Sequence, residues 1–386
     1  MHRRQFLQTG LAASAFSTLP ILPALARTRP YRLALIGTGW WGMNILREAM
    51  AYGNVKVVGL VDVDQMHLIQ AQTEVQKLKG DKAKIFEDYR EMLQKTRPEI
   101  VIIGTPDHWH ALNAIHALEA GAHVYLEKPI SHTLDEGLAI LQTARRVGKK
   151  VQVGTHRRVS PHNIAAIDFL KAGKAGQVHS VKCFVNYAGN PRLPARPTEV
   201  PVSLNWDLWC GPAPVNPFNS QIHPKGWRMF LDYANGHIAD WGIHWFDQVL
   251  WWTEELHPKK VFSTGGRYLQ TDSSDAPDTQ YALYEFETFT LQWENKRLAP
   301  NANESANVGC YFYGTEGTLH LGWRDGWTFY PRDKKKEPVN YPASLLDSLY
   351  KVRPEFGNIL PVRLVEASGI IDRLLLFVPG IKGPAI

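Results

Sequence analysis

The chain has 386 residues, 44% of them apolar and 21% charged, with a formal net charge of +6. This is the balance of a globular protein of two or three domains, and the positive charge is too diffuse for a nucleic-acid-binding surface. Its three cysteines, Cys183, Cys210 and Cys310, lack the spacing of a disulfide framework or a zinc site, so we expect buried thiols and no metal site.

Residues 1–26 have the three parts of an export signal. Arg3 and Arg4 precede Gln-Phe-Leu, a mildly apolar run follows, and the segment ends in Ala-Leu-Ala at Ala26. This order predicts a twin-arginine signal peptide, whose pathway exports folded proteins; the alternative is an unstructured basic N-terminus. We expect a soluble periplasmic or secreted protein that begins near Arg27, because no later segment is apolar for long enough to span a membrane.

A glycine-rich turn joins the first predicted strand, 31–36, to a predicted helix, 43–50. In a strand, Gly-x-Gly-x-x-Gly and helix sequence, the first glycine makes a tight turn, the second admits a pyrophosphate and the third packs helix on strand. The helix N-terminus adds N–H donors and a positive dipole end. The pattern predicts a dinucleotide site that includes Gly37, Thr38, Gly39, Trp41, Gly42 and Met43.

The second predicted strand, 55–61, ends in Asp62, which lies 20 residues beyond Gly42. A carboxylate at this position can accept hydrogen bonds from the ribose hydroxyls of NAD and would repel the additional phosphate of NADP. Val63 follows, where a basic or hydroxyl residue would favour NADP. The sequence therefore favours NAD as the cofactor.

Strand and helix patterns alternate along residues 31–153, with apolar strands and short connections. This alternation predicts an α/β fold, in which a doubly wound parallel sheet is covered on both faces and forms a dinucleotide-binding Rossmann domain. Further strands are predicted at 100–103, 123–126 and 150–153, and helices at 65–79, 89–94, 108–120 and 134–147.

Polar residues follow two of these strands at the edge where parallel sheets bind ligands. Pro129 ends the strand 123–126 and leaves Glu127 and Lys128 at its carboxyl end. Thr105 and His110 follow the strand 100–103, so we expect them in the same cleft as Lys128 and Gly37. The alternatives are a solvated charge pair for Glu127 and Lys128, and polar helix-start residues for His108 and His110.

After Gly154 the pattern changes to a helix, 160–171, and then to strands with alternating burial. The predicted second domain, 154–330, is α+β with an open, mostly antiparallel sheet, and its free face could meet a partner subunit or the cofactor cleft. Residues 331–386 are predicted to be an irregular tail. The predicted strands are 178–187, 260–268, 279–286, 288–293, 308–313 and 318–321.

A tryptophan-rich segment, 237–252, carries Asp240, His244, Asp247 and Trp251 at spacings that place them on one helical face. An aspartate one turn before a histidine can accept its ring N–H and thereby set up a proton relay. The alternative is a hydrogen-bonded core histidine under an aromatic helix.

The glycine turn, Thr-Pro-Asp-His-x-His, Glu-Lys-Pro and Asp-x-x-x-His, in this order, resemble the glucose-fructose oxidoreductase and inositol dehydrogenase family over about 33–323. The segments 206–212 and 223–228 resemble loops of its secreted bacterial branch. The resemblance implies an NAD(P)-dependent oxidoreductase that acts on a sugar or cyclitol and is a homo-oligomer through its second sheet. Because free dinucleotide is scarce outside the cytoplasm, we expect an exported protein of this kind to hold its cofactor tightly. Lys128 would polarise the reacting hydroxyl or relay its proton. His244, oriented by Asp240, would be the acid-base. The implied cofactor contacts are Glu127, Thr105, His110 and Arg157.

Two departures from the family pattern stand out. His237 replaces a residue that is small in many relatives, and no closing helix and strand pattern is found beyond Arg324. Two alternative functions stay open. The first is an NAD-dependent glycosidase like those of glycoside hydrolase family 109, which usually lack Glu-Lys-Pro, and the second is a non-catalytic dinucleotide-binding sensor.

Overall fold

The computed structural model describes residues 29–52, 54–186, 192–253, 255, 257–296 and 306–343. The predicted signal peptide and residues 344–386 of the predicted tail lie outside these ranges. Within the described ranges, no helix combines the length and the hydropathy needed to cross a membrane.

The N-terminal sheet has six parallel strands in the order β3-β2-β1-β4-β5-β6, so the predicted doubly wound α/β fold is confirmed. The sequence predicts every strand except β3, whose three residues are too few to show a period. The strands are β1 (Tyr31–Ile36), β2 (Val55–Val61), β3 (Lys84–Phe86), β4 (Ile100–Ile103), β5 (His123–Leu126) and β6 (Val151–Val153).

Helices cover both faces of this sheet and enclose two separate apolar cores. Side chains at the helix starts fix where the helices begin: Asp64 accepts from the backbone N–H of Met66, and Thr133 and Glu136 form a reciprocal capping box. The helices are α1 (Trp40–Tyr52), α2 (Gln65–Lys79), α3 (Tyr89–Thr96), α4 (His110–Glu119) and α5 (Leu134–Val147).

The strand order reverses between β1 and β4, and a crevice opens there at the carboxyl edge of a doubly wound sheet. The glycine turn follows β1, residues 104–110 follow β4, and Lys128 follows β5. The topology therefore brings these three segments to the edge where a dinucleotide would bind, as the sequence predicted.

The second sheet has eight strands in the order β14-β13-β12-β11-β7-β10-β9-β8, and every described pairing except β7 with β10 is antiparallel. Helices α6 (Pro161–Lys171) and α8 (Ile243–Thr253) pack against its buried core, whereas most of β8 is exposed. The first strands are β7 (Val178–Val185), β8 (Lys260–Gly266), β9 (Thr279–Glu285), β10 (Thr290–Lys296), β11 (Val308–Gly314) and β12 (Gly317–Gly322).

Two regular strands follow Arg324, where the sequence analysis found no strand pattern. They are β13 (Trp327–Pro331), which pairs with β12, and β14 (Val339–Tyr341), which pairs with β13. Residue burial alternates along β13, but the strand is short, and β14 is an exposed edge strand of three residues. The expectation that no strand pattern follows Arg324 was therefore wrong at these two strands, and the tail predicted to be irregular from residue 331 contains the strand Val339–Tyr341.

The segment before α8 is a wide π-helical turn, Ile238–Gly242, rather than a continuation of a regular α-helix. A π turn closes hydrogen bonds one residue later than an α-helix, so it changes which side chains share a face. A further short helix, α7 (Trp206–Cys210), lies between the two sheets in the chain and was not predicted. All three cysteines are buried, as predicted.

Candidate active site

Of the three glycines of the turn, only the second has open space where a side chain would stand. A Cβ atom on Gly42 would lie 2.0 Å from the carbonyl oxygen of Gly37, and one on Gly104 would lie 2.8 Å from Cα of Gly42. Gly37 has a φ of +89°, a conformation that glycine adopts without strain. A Cβ on Gly39 would meet no atom within 4 Å. The turn thus leaves open space at the position where the backbone of a Rossmann fold approaches a pyrophosphate.

Asp62 lies beside this turn and already accepts hydrogen bonds from it. Its Oδ2 accepts from the backbone N–H of Thr38 at 2.7 Å and from Thr38 Oγ1 at 2.9 Å, and its Oδ1 accepts from the N–H of Asp64 at 3.0 Å. Burial raises the pKa of the Asp62 carboxyl, and these donors oppose the shift. A carboxylate has about four acceptor positions, so about one is left for a ribose hydroxyl.

Met43 does not fit the predicted cofactor contact. Its side chain is buried in the core under β1, and its N–H donates to the carbonyl oxygen of Gly39 at 3.0 Å. The reason is that α1 begins at Trp40, three residues earlier than predicted, so Met43 is already inside the first turn. Trp41 stays at the helix start, with its ring centroid 5.2 Å from that of Trp40.

The imidazole ring of His110 lies between the loop after β4 and the loop after β5. One ring nitrogen lies 2.9 Å from the carbonyl oxygen of Thr105, and the other lies 2.5 Å from that of Pro129. Burial lowers the pKa of His110 to about 4, although both carbonyl groups oppose this shift. A neutral imidazole has one N–H, so His110 can donate to only one of these two oxygens. Because both ring nitrogens face backbone oxygens, His110 leaves no ring nitrogen for a cofactor, which corrects the predicted direct contact.

Glu127 is buried beneath the site. Its Oε1 accepts from the hydroxyl of Tyr125 at 3.3 Å and its Oε2 from the N–H of Lys128 at 3.1 Å. Burial raises the pKa of the Glu127 carboxyl, and Trp41 and Lys128 lower it. A Cβ on Gly154 would lie 2.4 Å from Oε1 of Glu127, so this carboxyl is fixed from below by the end of β6.

Lys128 crosses from the first domain to the second. Its Nζ donates to Asp240 twice, to the backbone oxygen at 2.8 Å and to Oδ1 at 2.9 Å. Arg228 Nε lies 3.2 Å from the same Oδ1. Burial acts to raise the pKa of the Asp240 carboxyl, but Lys128 and Arg228 outweigh it and hold that pKa below its usual range. The ammonium group is therefore anchored on an ionised carboxylate.

His244 is buried among aromatic rings one helical turn after Asp240. Its ring centroid lies 5.0 Å from those of His156 and Trp323. Burial holds the pKa of His244 well below its usual value, and the positive charges of Lys128 and Arg157 lower it further. The imidazole is thus neutral at physiological pH and can accept a proton.

The predicted pairing of Asp240 with His244 is not formed. The Asp240 carboxylate forms ion pairs with Lys128 and Arg228. The part of the chain that the structure describes contains no hydrogen bond between Asp240 and His244. The π turn, which the sequence did not reveal, directs Asp240 to Lys128 instead. Asp247, expected on the same face, forms an ion pair with Arg158 at 2.8 Å.

Arg157, which was predicted beside the cleft, faces an aromatic ring. Its guanidinium carbon is 3.5 Å from the ring centroid of Trp323, and its side chain is buried. A guanidinium stacked at this distance is attracted to the ring face. Since Trp323 also packs against His244, Arg157 fixes the aromatic ring that lies beside the imidazole.

The sequence analysis did not identify three residues of the site as functional: Arg228, His156 and Trp323. Each lies in a loop or short turn and reaches the site only through the tertiary fold. His156 is next to the predicted Arg157, and its position in a Gly-Thr-His-Arg-Arg run after β6 was the only available signal.

Asp107, which begins a short 3-10 turn after β4, allows a prediction about how the free energy of unfolding changes with pH. It is buried, and burial raises the pKa of its carboxyl to about 8 while Arg228 and Lys128 oppose the shift. An unfolded aspartate has a pKa of about 3.9, so between these two pH values the folded chain binds the additional proton. Binding of this proton therefore adds to the free energy of unfolding at pH 4, and this contribution is lost as the pH rises to about 8.

We therefore expect Asp107→Asn, which keeps a neutral side chain, to be more stable than the unaltered protein at pH 8, by on the order of 5 kcal/mol. The advantage should shrink as the pH falls toward 4. Denaturant unfolding of both proteins across this range measures the difference. A difference that does not change with pH would contradict the assignment.

Comparison with known proteins places this architecture in a family. The fold and the site define a two-domain protein with a Rossmann dinucleotide site and a polar cleft. Residues 31–155 match the family described as "Oxidoreductase family, NAD-binding Rossmann fold", and residues 164–320 match "GFO/IDH/MocA C-terminal domain". The chain belongs to this GFO/IDH/MocA oxidoreductase family, as the motifs predicted.

Curated relatives of more than one activity are similar to the chain. A D-glucoside 3-dehydrogenase of Escherichia coli is 29% identical over 76% of this chain and 77% of its own length. A glycosyl hydrolase family 109 protein of Stenotrophomonas maltophilia is 31% identical over 50% of this chain and 46% of its own length. This match, like several others, spans only about half of the relative.

Solved structures share the fold. The NAD binding oxidoreductase of Klebsiella pneumoniae superposes with a TM-score of 0.62 at 21% identity and covers 86% of this chain and 83% of its own. The WlbA dehydrogenase of Chromobacterium violaceum, solved with NADH and UDP-GlcNAcA, gives a TM-score of 0.62 at 16% identity and covers 90% and 87%. At these identities the likeness concerns the fold.

Proposed function

We propose that the protein is an NAD-dependent oxidoreductase that transfers a hydride between a hydroxyl-bearing carbon of a sugar or cyclitol and a tightly bound nicotinamide cofactor. The observation that carries the proposal is the joint placement of Lys128, anchored by Asp240, and a neutral His244 at the carboxyl edge next to the glycine turn. These are the groups that alcohol oxidation requires: a cation to polarise the hydroxyl and a base to take its proton.

In this mechanism each residue of the site has its own role. When bound, NAD supplies the nicotinamide carbon that accepts the hydride. His244 accepts the hydroxyl proton, Lys128 stabilises the negative charge that develops on the oxygen, and Asp240 holds the ammonium in place. The substrate carbon loses one hydride and its oxygen one proton, which leaves a carbonyl group. Gly39 and Asp62 are the chain's contributions to holding the pyrophosphate and the ribose.

His244 gives a prediction about pH. Because its pKa is held well below the ordinary histidine value, we expect the oxidation rate to stay constant between pH 8 and pH 6 and to fall only in more acidic solution. His244→Gln should lower kcat by about 10²–10⁴-fold and abolish the acidic fall. A pH profile of both proteins measures this; a rate that already falls between pH 7 and pH 6 in the unaltered protein would contradict the role.

The substrate class rests on several supporting features. One relative is named for activity on a D-glucoside, and one structural neighbour was solved with a nucleotide sugar. Trp241, whose ring lies 6.1 Å from that of His244, is an aromatic side chain of the kind on which sugar C–H groups pack.

The location and assembly of the protein form part of the same proposal. The twin-arginine pattern of residues 1–26 supports export to the periplasm or beyond. Free dinucleotide is scarce there, so the protein would travel with its cofactor bound and regenerate it with a second substrate. The exposed apolar side chains of the second sheet, including Phe262 and Leu283, suit a homo-oligomer interface.

Two measurements test the proposal. Mass spectrometry of the purified protein, first native and then denatured, should detect one NAD or NADH per chain rather than NADP. Addition of a panel of glycosides, aldoses and inositols should then change the nicotinamide absorbance for at least one compound. A protein that contains no dinucleotide and cannot be loaded with one would overturn the proposal.

A second candidate is an NAD-dependent glycosidase that oxidises its substrate, eliminates the aglycone and reduces the intermediate back. Relatives named glycosyl hydrolase family 109 protein and alpha-N-acetylgalactosaminidase favour it. Release of nitrophenol from nitrophenyl glycosides without net change in nicotinamide absorbance would support the glycosidase. A non-catalytic sensor is the third candidate, and it would bind a sugar with no turnover and no loss of function in Lys128→Ala.

A further inference from the structure

A segment of the second half of the chain lies across the carboxyl edge of the Rossmann sheet. We call residues 203–211 the strap. The segment includes α7, and it makes hydrogen bonds to the loops that follow β2, β3 and β4. No motif in the sequence marked it as a part of the dinucleotide site.

At its first end the strap binds the loop after β2 through its backbone. The N–H of Gln65 donates to the carbonyl oxygen of Ser203 at 2.9 Å, and the N–H of Asn205 donates to that of Val63 at 2.9 Å. Asp64 and Leu204 form an antiparallel bridge between these two bonds. The strap is therefore hydrogen-bonded to the residues directly after Asp62.

The middle and the far end of the strap bind the loops after β3 and β4. Asn205 Nδ2 donates to Oε1 of Glu87 at 3.2 Å. Trp109 Nε1 lies 3.1 Å from the carbonyl oxygens of both Leu208 and Trp209. His108 Nε2 lies 2.9 Å from the Trp209 oxygen, and burial lowers the pKa of His108 to about 4, so its ring is neutral and can donate from this nitrogen.

The strap is held in this position by packing. A Cβ on Gly211 would lie 2.1 Å from the ring of Trp109, and the φ of Gly211 is +54°, so only glycine fits where the strap leaves the Trp109 ring. Behind the strap, Trp206 stacks on Trp209 with centroids 4.6 Å apart, and Tyr233 closes the same apolar cluster. The strap is thus a built element of the fold.

We infer that the strap closes the adenosine end of the dinucleotide site and retains the cofactor. The inference rests on the proposed function. In a doubly wound sheet, the nucleotide lies in the crevice between the first strand and its neighbours, with the acid after β2 at the ribose. The loops after β2 and β4 flank this half of the crevice, and the strap joins one to the other. A bound dinucleotide leaves only when the strap separates from at least one of the two loops.

Retention by the strap explains how an exported protein can keep a dinucleotide without making more contacts to it. The barrier to dissociation then includes the cost of breaking the strap's hydrogen bonds and exposing part of its aromatic cluster. Opening of a docked segment of this kind is a local unfolding event, which is slow compared with side-chain motion. Affinity gained in this way appears mainly in the dissociation rate.

The first test loosens the strap. The double variant Glu87→Ala/Trp109→Phe removes the acceptor of Asn205 and the indole donor while it keeps an aromatic ring at position 109. The full chain is loaded with NADH, and its release is followed by loss of nicotinamide fluorescence during a chase with excess NAD. We expect dissociation to be at least about tenfold faster than in the unaltered protein, which corresponds to about 1.4 kcal/mol. The control is Glu91→Ala, which breaks a surface ion pair with Lys95 on α3 and should change nothing.

The second test links the strap covalently to the loop after β2. It remains informative even if the variant of the first test does not fold. Bridged residues of antiparallel strands have Cα separations that suit a disulfide, so Asp64→Cys/Leu204→Cys can lock the strap to the β2 loop. The same protein is compared oxidised and reduced. We expect NADH to leave the oxidised form at least about tenfold more slowly than the reduced form, by the same measure.

The outcomes separate the strap from the proposed function. Faster release from the loosened variant, or slower release from the locked form, supports the strap. Tight NADH binding with equal release rates in all of these proteins overturns the strap and leaves the proposed function standing. A protein that binds no dinucleotide in any form overturns both.

Discussion

Replacement of Lys128 by methionine is expected to lower kcat by about 10³-fold or more while the protein still binds NAD. The ammonium group of Lys128 links the loop after β5 to Asp240, and the substitution removes this group. Methionine keeps the length and most of the apolar stem but cannot polarise a hydroxyl or donate to the carboxylate. The measurement is single-turnover reduction of bound NAD with the best substrate of the panel.

The matched control for this variant is Lys150→Met, which changes an exposed lysine of the same domain. It should turn over as the unaltered protein does. Arg228 still pairs with Asp240 in Lys128→Met, so we expect the variant to fold, and thermal unfolding will check this. Turnover within tenfold of the unaltered protein would remove Lys128 from the mechanism.

Two of the three glycines of the turn, Gly39 and Gly42, are expected to respond to alanine in opposite ways. Gly42→Ala places a Cβ 2.0 Å from the backbone oxygen of Gly37, and backbone atoms on both sides cannot yield, so we expect a loss of stability on the order of 3 kcal/mol or no folded protein. Gly39→Ala adds a methyl group to open space, so this variant should unfold at the normal temperature.

The same Gly39→Ala variant should lose at least about 100-fold in NADH affinity, because the methyl group occupies the room that the pyrophosphate requires. Thermal unfolding without ligand, followed by fluorescence titration with NADH, separates the two effects. Normal NADH affinity in a folded Gly39→Ala protein would show that the dinucleotide does not approach the turn.

The sequence predicted the Rossmann half closely because its signals are local. The limits of β1, β2, β4 and β5 follow from apolar runs bounded by glycine, proline or charge, and the helix 65–79 follows from its cap and glycine end. The glycine turn is predictable because a steric requirement leaves only one residue type. In the second domain the alternating strands were found, but their order in the sheet was not, since pairing partners are distant in sequence.

The predictions that failed depend on contacts that cross the fold. Asp240 was expected to hold His244 because a regular helix places them one turn apart, and the π turn with Lys128 and Arg228 nearby overrides that local geometry. Met43 was expected at the phosphates because the helix start was placed three residues late. The strap was not predicted as a part of the dinucleotide site, because the loops that it binds are distant from it in the sequence.

The most direct test of the proposed chemistry follows a labelled hydrogen. The loaded protein is incubated with sugars that carry deuterium on their ring carbons, the cofactor is released by denaturation, and its mass and the position of the label are determined. Hydride transfer beside Lys128 and His244 predicts NADH with one deuterium at nicotinamide carbon 4, formed about 10²–10⁴-fold more slowly in His244→Gln. Substrate converted to product while the cofactor neither carries deuterium nor loses a previously introduced label would contradict it.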